Sequence, residues 1–101
     1  MAWQKFSKKV IIAIGDNMAK NTETISYEIR LRIAANTRAF RKNRGLTQEE
    51  LAHRAKLAIR HLQKIEAAEV NVTLDTLVKL SSALNIDVAE LFEKPQQEKK
   101  I

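Results

Sequence analysis

Thr47-Gln-Glu-Glu-Leu-Ala-His-Arg-Ala-Lys-Leu-Ala-Ile-Arg-His-Leu-Gln-Lys-Ile-Glu66 reads as two short helices joined by a tight turn, and that reading decides the fold. Thr47 and Glu50 have the spacing of a capping box, which starts a helix at Gln48. Leu51, Ala52 and Ala55 fall on one side of this helix. In the next segment Leu62 and Ile65 make a second inward stripe at helical spacing. Arg60, Gln63 and Lys64 point the other way, with Ile59 on the flank. An outward face of donors and cations without a carboxylate suits a polyanion. A bracing helix followed by one that enters the major groove is the helix-turn-helix arrangement.

Charge along the chain has the same polarity. From Arg30 to Lys64 ten Lys/Arg face two acids, whereas from Ile65 to Glu93 one Lys faces six. The basic part coincides with the two-helix stretch and the acidic part lies behind it, which would orient the domain on a polyanion and speed encounter.

The remaining sequence fits one all-α domain. The chain has 101 residues, two glycines, one proline and no cysteine, which excludes disulfides and thiolate metal sites. A first helix is expected from about Tyr27 to Asn43, with Ile29, Ile33, Thr37 and Phe40 inward and Gly45 as a left-handed cap. A fourth follows Thr73, with Leu74, Leu77, Val78, Ser81 and Leu84 at helical spacing and Asn85 ending it. A fifth opens on Asp87 and Glu90 and buries Val88, Leu91 and Phe92 before Pro95. This divides the chain into an N-terminal extension at 1–26, a five-helix domain at 27–93 whose motif spans about 47–67, and a charged tail at 94–101.

In Ile33, Arg38, Arg41, Gly45-Leu46-Thr47-Gln48, Leu51-Ala52, Leu62, Ile65-Glu66, Leu74, Leu77, Ala83-Leu84 and Ile86, the chain resembles the lambda-repressor-like, or Cro/XRE-type, helix-turn-helix regulators. The resemblance runs from about Ile33 to Phe92. Four positions depart from the family pattern: Lys56 stands at a usual turn glycine, Ala58 at a usual capping Ser or Thr, Ala68 at a common glycine and Val72 at a common proline. They bear on the turn geometry and the recognition-helix cap.

The resemblance implies sequence-specific binding of double-stranded DNA as a transcriptional regulator, most often a repressor, acting as a homodimer on a palindromic operator. It implies that Arg41 and Glu66 pair and tie the motif to the first helix, and that Gln48 contacts phosphate. Arg60 and Lys64 are the candidates for base or phosphate contact, since Arg matches the guanine edge. Ile59 lies against a thymine methyl or packs inward, and Gln63 reads adenine or meets a phosphate. Ala58 is the expected N-cap of the recognition helix, unless that helix starts at Lys56 or Leu57. Arg38 and Lys42 are backbone-contact candidates. Leu91 and Phe92, joined by the N-terminal apolar segment, form the expected dimer surface.

Residues outside the pattern leave alternatives. Trp3, Phe6, Val10, Ile11 and Ile14 form an amphipathic pattern that could pack on the domain or embrace a toxin, which would make the chain an antitoxin with DNA binding secondary. Alternatively Met18 is the natural start, because Gly15-Asp16 can be encoded by a ribosome-binding sequence, and residues 1–17 are then leader. The longest apolar run, Val10 to Ile14, is too short to span a bilayer, and a cytoplasmic location is expected. His53 and His61 straddle the turn without completing a metal set. Ser81 and Ser82 have no evident base, and there is no glycine-rich phosphate loop, so neither an enzyme nor a cofactor is expected.

Overall fold

The computed structural model describes residues 21–95. The Trp3 to Ile14 segment, the Met18 start and the tail from Gln96 fall outside the described residues. Within them the chain forms four α-helices and a closing 3-10 turn: α1 Thr22–Asn43, α2 Gln48–Ala55, α3 Ile59–Glu66, α4 Leu74–Leu84 and the turn Val88–Leu91.

The first helix starts five residues before Tyr27, at Thr22. Asn21 supplies the cap, its side chain accepting from the Thr24 amide, and Ile25 continues the Ile29 and Ile33 stripe by one more turn. Glu23 in the first turn and Arg41 and Lys42 in the last complement the helix dipole.

All four helices end by the same device. Behind α1, Gly45 has φ +67°; its amide donates to Lys42 O and that of Leu46 to Arg41 O, at 2.9 and 3.0 Å. The same crossed pair of bonds closes α2 around Lys56, α3 around Ala68 and α4 around Asn85, with φ of 58°, 61° and 57°. Asn tolerates this left-handed conformation, whereas Lys and Ala carry a Cβ penalty in it. The two departures from glycine therefore leave the turn geometry intact and load it with strain.

The core gathers Ile33, Leu46, Leu51, Ala52, Ala55, Leu62, Ile65, Leu77, Leu80, Leu84 and Leu91. α1 packs on α3 and the 3-10 turn, and α2 packs on α3 and α4. Of the α4 residues at helical spacing, Leu74 and Val78 are 72% and 51% exposed, and the buried positions are Thr76, Leu77, Leu80, Ser81 and Leu84.

The fifth helix is also corrected. It is a single 3-10 turn of four residues, capped by Asp87 and Glu90. Pro95 disfavours helical backbone at Lys94, so the segment has no room to propagate. Asn36, buried on α1, donates from Nδ2 to the carbonyls of Leu91 and Glu93 and satisfies the turn's free end. Leu91 is fully buried in its own protomer's core and offers no dimer surface, while Phe92, expected inside, is 39% exposed.

Candidate nucleic-acid interface

The two motif helices have opposite N-termini. Thr47 and Glu50 form a reciprocal capping box: the Thr47 hydroxyl accepts from the Glu50 amide, and the Glu50 carboxylate accepts from the Thr47 amide at 2.8 Å. These bonds with Thr47 hold the Glu50 carboxyl below its ordinary range. Ala58 is the N-cap of α3, extended at φ −65° and ψ 140°, with no side-chain bond to offer. The first turn of α3 carries no acid, whereas that of α2 carries Glu49 and Glu50. Of the two, α3 is the end left open to an anion.

Outward from α3 stand Arg60, Gln63 and Lys64, all exposed, with Ile59 at 36% exposure on the rim. Leu62, Ile65 and Glu66 face inward. Ile59 is thus neither in the core nor far out on the face. His61 is half-buried and His53 exposed. Among the described residues no group of three or more His, Asp or Glu is placed to hold a metal ion.

Glu66 ties this face to the rest of the domain. Its carboxylate, with the side chain 2% exposed, accepts from Arg41 Nε at 2.8 Å and Nη2 at 3.0 Å. The Gln48 side-chain amide adds a bond to Glu66 Oε1 at 2.9 Å. Arg41 Nη1 also reaches the Leu46 carbonyl at 2.9 Å, so one guanidinium links the ends of α1 and α3. Arg38, one turn earlier on α1, donates to the main-chain carbonyl of Glu66. Two cations thereby converge on the C-terminal end of α3, where its dipole favours them.

Gln48 is half-buried at the start of α2, and its amide oxygen lies 3.5 Å from Gln63 Nε2. A chain of side chains thus runs from Arg41 through Glu66 and Gln48 to Gln63 on the outward face. Lys42 is exposed beside it on α1. Arg44 stacks over Phe40 with its guanidinium 5.3 Å from the ring centre, which turns that cation back on α1.

Sequence reasoning missed three of these roles: Arg38 as a cap for α3, Asn36 as a cap for the 3-10 turn, and the link from Gln48 to Gln63. The first had a signal, since Arg38 and Arg41 are three apart and share a helix face. The second had one as well, because Asn36 is a polar residue beside the inward Ile33 and Thr37. The third depends on how α2 and α3 cross.

A helix-turn-helix family model matches residues 38–91, from the α1 end of the network to the last buried leucine. The chain belongs to the Cro/XRE-type helix-turn-helix family. A hypothetical transcription factor of Neisseria meningitidis is 32% identical over 74 residues, covering 73% of this chain and 70% of that protein. The control protein C.SmaI of Serratia marcescens is 39% identical over 62 residues, 61% of this chain and 74% of that one. The crystal structure of the restriction-modification controller C.AhdI from Aeromonas hydrophila superposes with a TM-score of 0.61 at 33% identity, over 62% of this chain and 96% of that one. Membership in the Cro/XRE-type family makes the chain a DNA-binding regulator of transcription. Among the described residues no helix is long and apolar enough to cross a membrane.

Proposed function

We propose that this Cro/XRE-type protein is a homodimeric repressor that reads a palindromic operator with α3. The observation that carries the reading is the outward face of α3: Arg60, Gln63 and Lys64 are exposed together, above a helix start with neither an acid nor a side-chain cap. Arg60 and Lys64 contact base edges or phosphates, and Ile59 lies on the rim at the height of a thymine methyl. Gln63 presents an amide to a base, steadied by Gln48. Gln48, Arg38 and Lys42 face the phosphate backbone, and the Ala58 end of α3 offers main-chain amides to it. In this reading Arg38 contacts phosphate with whatever donor capacity its bond to Glu66 leaves.

A dimer places two copies of α3 in successive major grooves, about 34 Å apart. Phe92 remains a candidate for its surface. Bound over a promoter, such a dimer excludes polymerase. The names of the relatives support a regulator over an antitoxin, since two are controllers and one a transcription factor.

Selection of bound duplexes from a random pool tests the proposal. The reading requires an enriched sequence of two inverted half-sites centred about one helical turn apart. Enrichment of a single unpaired half-site would contradict the dimer, and no enrichment would contradict sequence-specific reading.

A further inference from the structure

Beside α1 the core is open to one side. The N-terminal half of α1, the loop after α3 and the end of the 3-10 turn frame a groove of about 520 Å³, walled by Ile25, Ile29, Ile33, Val72, Leu77 and Phe92. Ile25 and Ile29 are half-buried and Phe92 is 39% exposed, so the groove keeps apolar surface in water. None of Arg60, Gln63 and Lys64 lines it, so an occupant leaves the outward face of α3 free. Its α1 wall precedes residue 38, where the family match begins, and so lies outside the matched motif.

Charge marks the two ends of the groove. Arg30 is the charged residue on its lining, and the Nη1 bonds of Arg30 go to neutral oxygens, Asn71 Oδ1 at 2.9 Å and Ser26 Oγ at 3.4 Å. The guanidinium lies over the Tyr27 ring, 5.6 Å from its centre, which helps to hold it in place. Among the described residues no acid pairs with Arg30, although Glu23 shares the adjoining polar end. At the other end Glu93 follows Phe92, exposed and equally without an ion pair among the described residues.

We propose that a second copy of this chain closes the groove about a two-fold axis, with Phe92 central and Arg30 of each protomer against the partner's Glu93. This rests on the homodimer reading above and names the surface that joins the protomers. The register follows from α1. Asn36 donates to the Glu93 carbonyl at 2.7 Å, and Arg30 lies six residues earlier, about 9 Å along the helix. An axis crossing α1 between them, near Ile33, lays the two α1 helices antiparallel and sets Arg30 opposite the partner's Glu93, twice per dimer. The flanking charges, Glu23 beside Arg30 and Lys94 beside Glu93, also have opposite signs across the contact. Ile25, Ile29 and Phe92 of both copies leave water together, and a buried aromatic beside a held arginine is the kind of anchor that carries interface energy.

Sedimentation of the full 101-residue protein without DNA tests this. The parent should pass from monomer to dimer as its concentration rises. Arg30→Glu and Glu93→Arg should each raise Kd about tenfold or more with helix content unchanged by circular dichroism, since each sets two like-charged pairs in the dimer. An equimolar mixture of the two variants should associate like the parent, because each supplies the sign that the other lacks. A purely structural role for Arg30 within its own protomer would give no such rescue. Phe92→Glu should abolish the dimer by itself, and Leu74→Glu, outside the groove, should leave it intact. Parent-like association of the charge variants overturns the proposal, and so does a mixture that stays monomeric. If the parent is then still a dimer, the homodimer reading stands with its surface elsewhere. A parent that stays monomeric overturns the proposal and, together with a single half-site in the selected operator, that reading as well.

Discussion

Replacing Glu66 by Ala should be the most damaging single truncation in the motif. The carboxylate is 2% exposed and accepts three side-chain bonds, two from Arg41 and one from Gln48. Without it Arg41, 11% exposed, keeps its bond to the Leu46 carbonyl but has no anion. Breaking one side of a buried pair costs about 3–5 kcal/mol, because a charge is stranded. Against a total stability of about 5–15 kcal/mol for a small domain, that approaches unfolding. Glu66→Gln keeps the shape and an acceptor, should cost less, and stays measurable if the Ala variant does not fold. A joint Arg41→Met, Glu66→Leu replacement should recover most of the loss, since no charge is left buried. Urea unfolding followed by circular dichroism gives each value. A loss below about 1 kcal/mol for Glu66→Ala would mean that the pair behaves like an exposed one and is not a buried anchor of the motif. In the folded fraction, Glu66→Gln should also weaken DNA binding, because Gln48 loses an anionic anchor.

Lys56→Gly removes a left-handed cost of about 1–2 kcal/mol for a residue with a Cβ and adds about 0.5–1 kcal/mol of glycine entropy, so thermal unfolding should show a net gain of about 0.5–1 kcal/mol. Ala68→Gly gains the same relief but loses a buried methyl worth about 0.8 kcal/mol, and its midpoint should stay nearly unchanged; equal gains at both sites would contradict this account. Ala58→Ser should stabilise by roughly 0.5–2 kcal/mol by capping α3, and an unchanged midpoint would mean the free amides are already satisfied by water. Because the folded-state pKa of Glu50 is depressed, its stabilising contribution is present above its ordinary value near 4.5 and is lost as pH falls through the lower folded value. Glu50→Gln should therefore flatten stability against pH below about 4.5, and an identical acid profile in both proteins would contradict the assignment.

Local chemistry made the motif readable. Thr47 and Glu50 announce a helix start by spacing alone, and Leu62 and Ile65 fix which side of α3 is inward, hence which side carries Arg60 and Lys64. Gly45 and Asn85 mark their turns because their side chains suit a left-handed backbone. Lys56 and Ala68 occupy the same conformation without any such mark, since the packing of the helices on either side imposes it. Leu74 and Val78 share the helical spacing yet stay exposed for a related reason: an apolar residue fits several phases of a helix, and only the neighbours of α4 select Leu77, Leu80 and Leu84 for burial. Phe92 and Leu91 are adjacent apolar residues whose opposite fates depend on where a four-residue turn stops. Asn36 stands out locally as a polar residue beside the inward Ile33 and Thr37, but which carbonyl it reaches, 55 positions away at Leu91, depends on tertiary proximity.

Titration of the selected operator at several salt concentrations tests whether the outward face of α3 grips DNA. For a dimer neutralising about six to eight phosphates, log K against log salt should slope near −5 to −7. Arg60→Ala should cost on the order of 1–3 kcal/mol with relaxed preference at one base if it reads guanine. Lys64→Ala, acting on phosphate, should weaken all sequences alike and flatten the slope by about two in a dimer, one per protomer. Both variants should unfold like the parent, being exposed. Parent-like affinity and slope in both would contradict such a grip and move the DNA-binding surface away from α3.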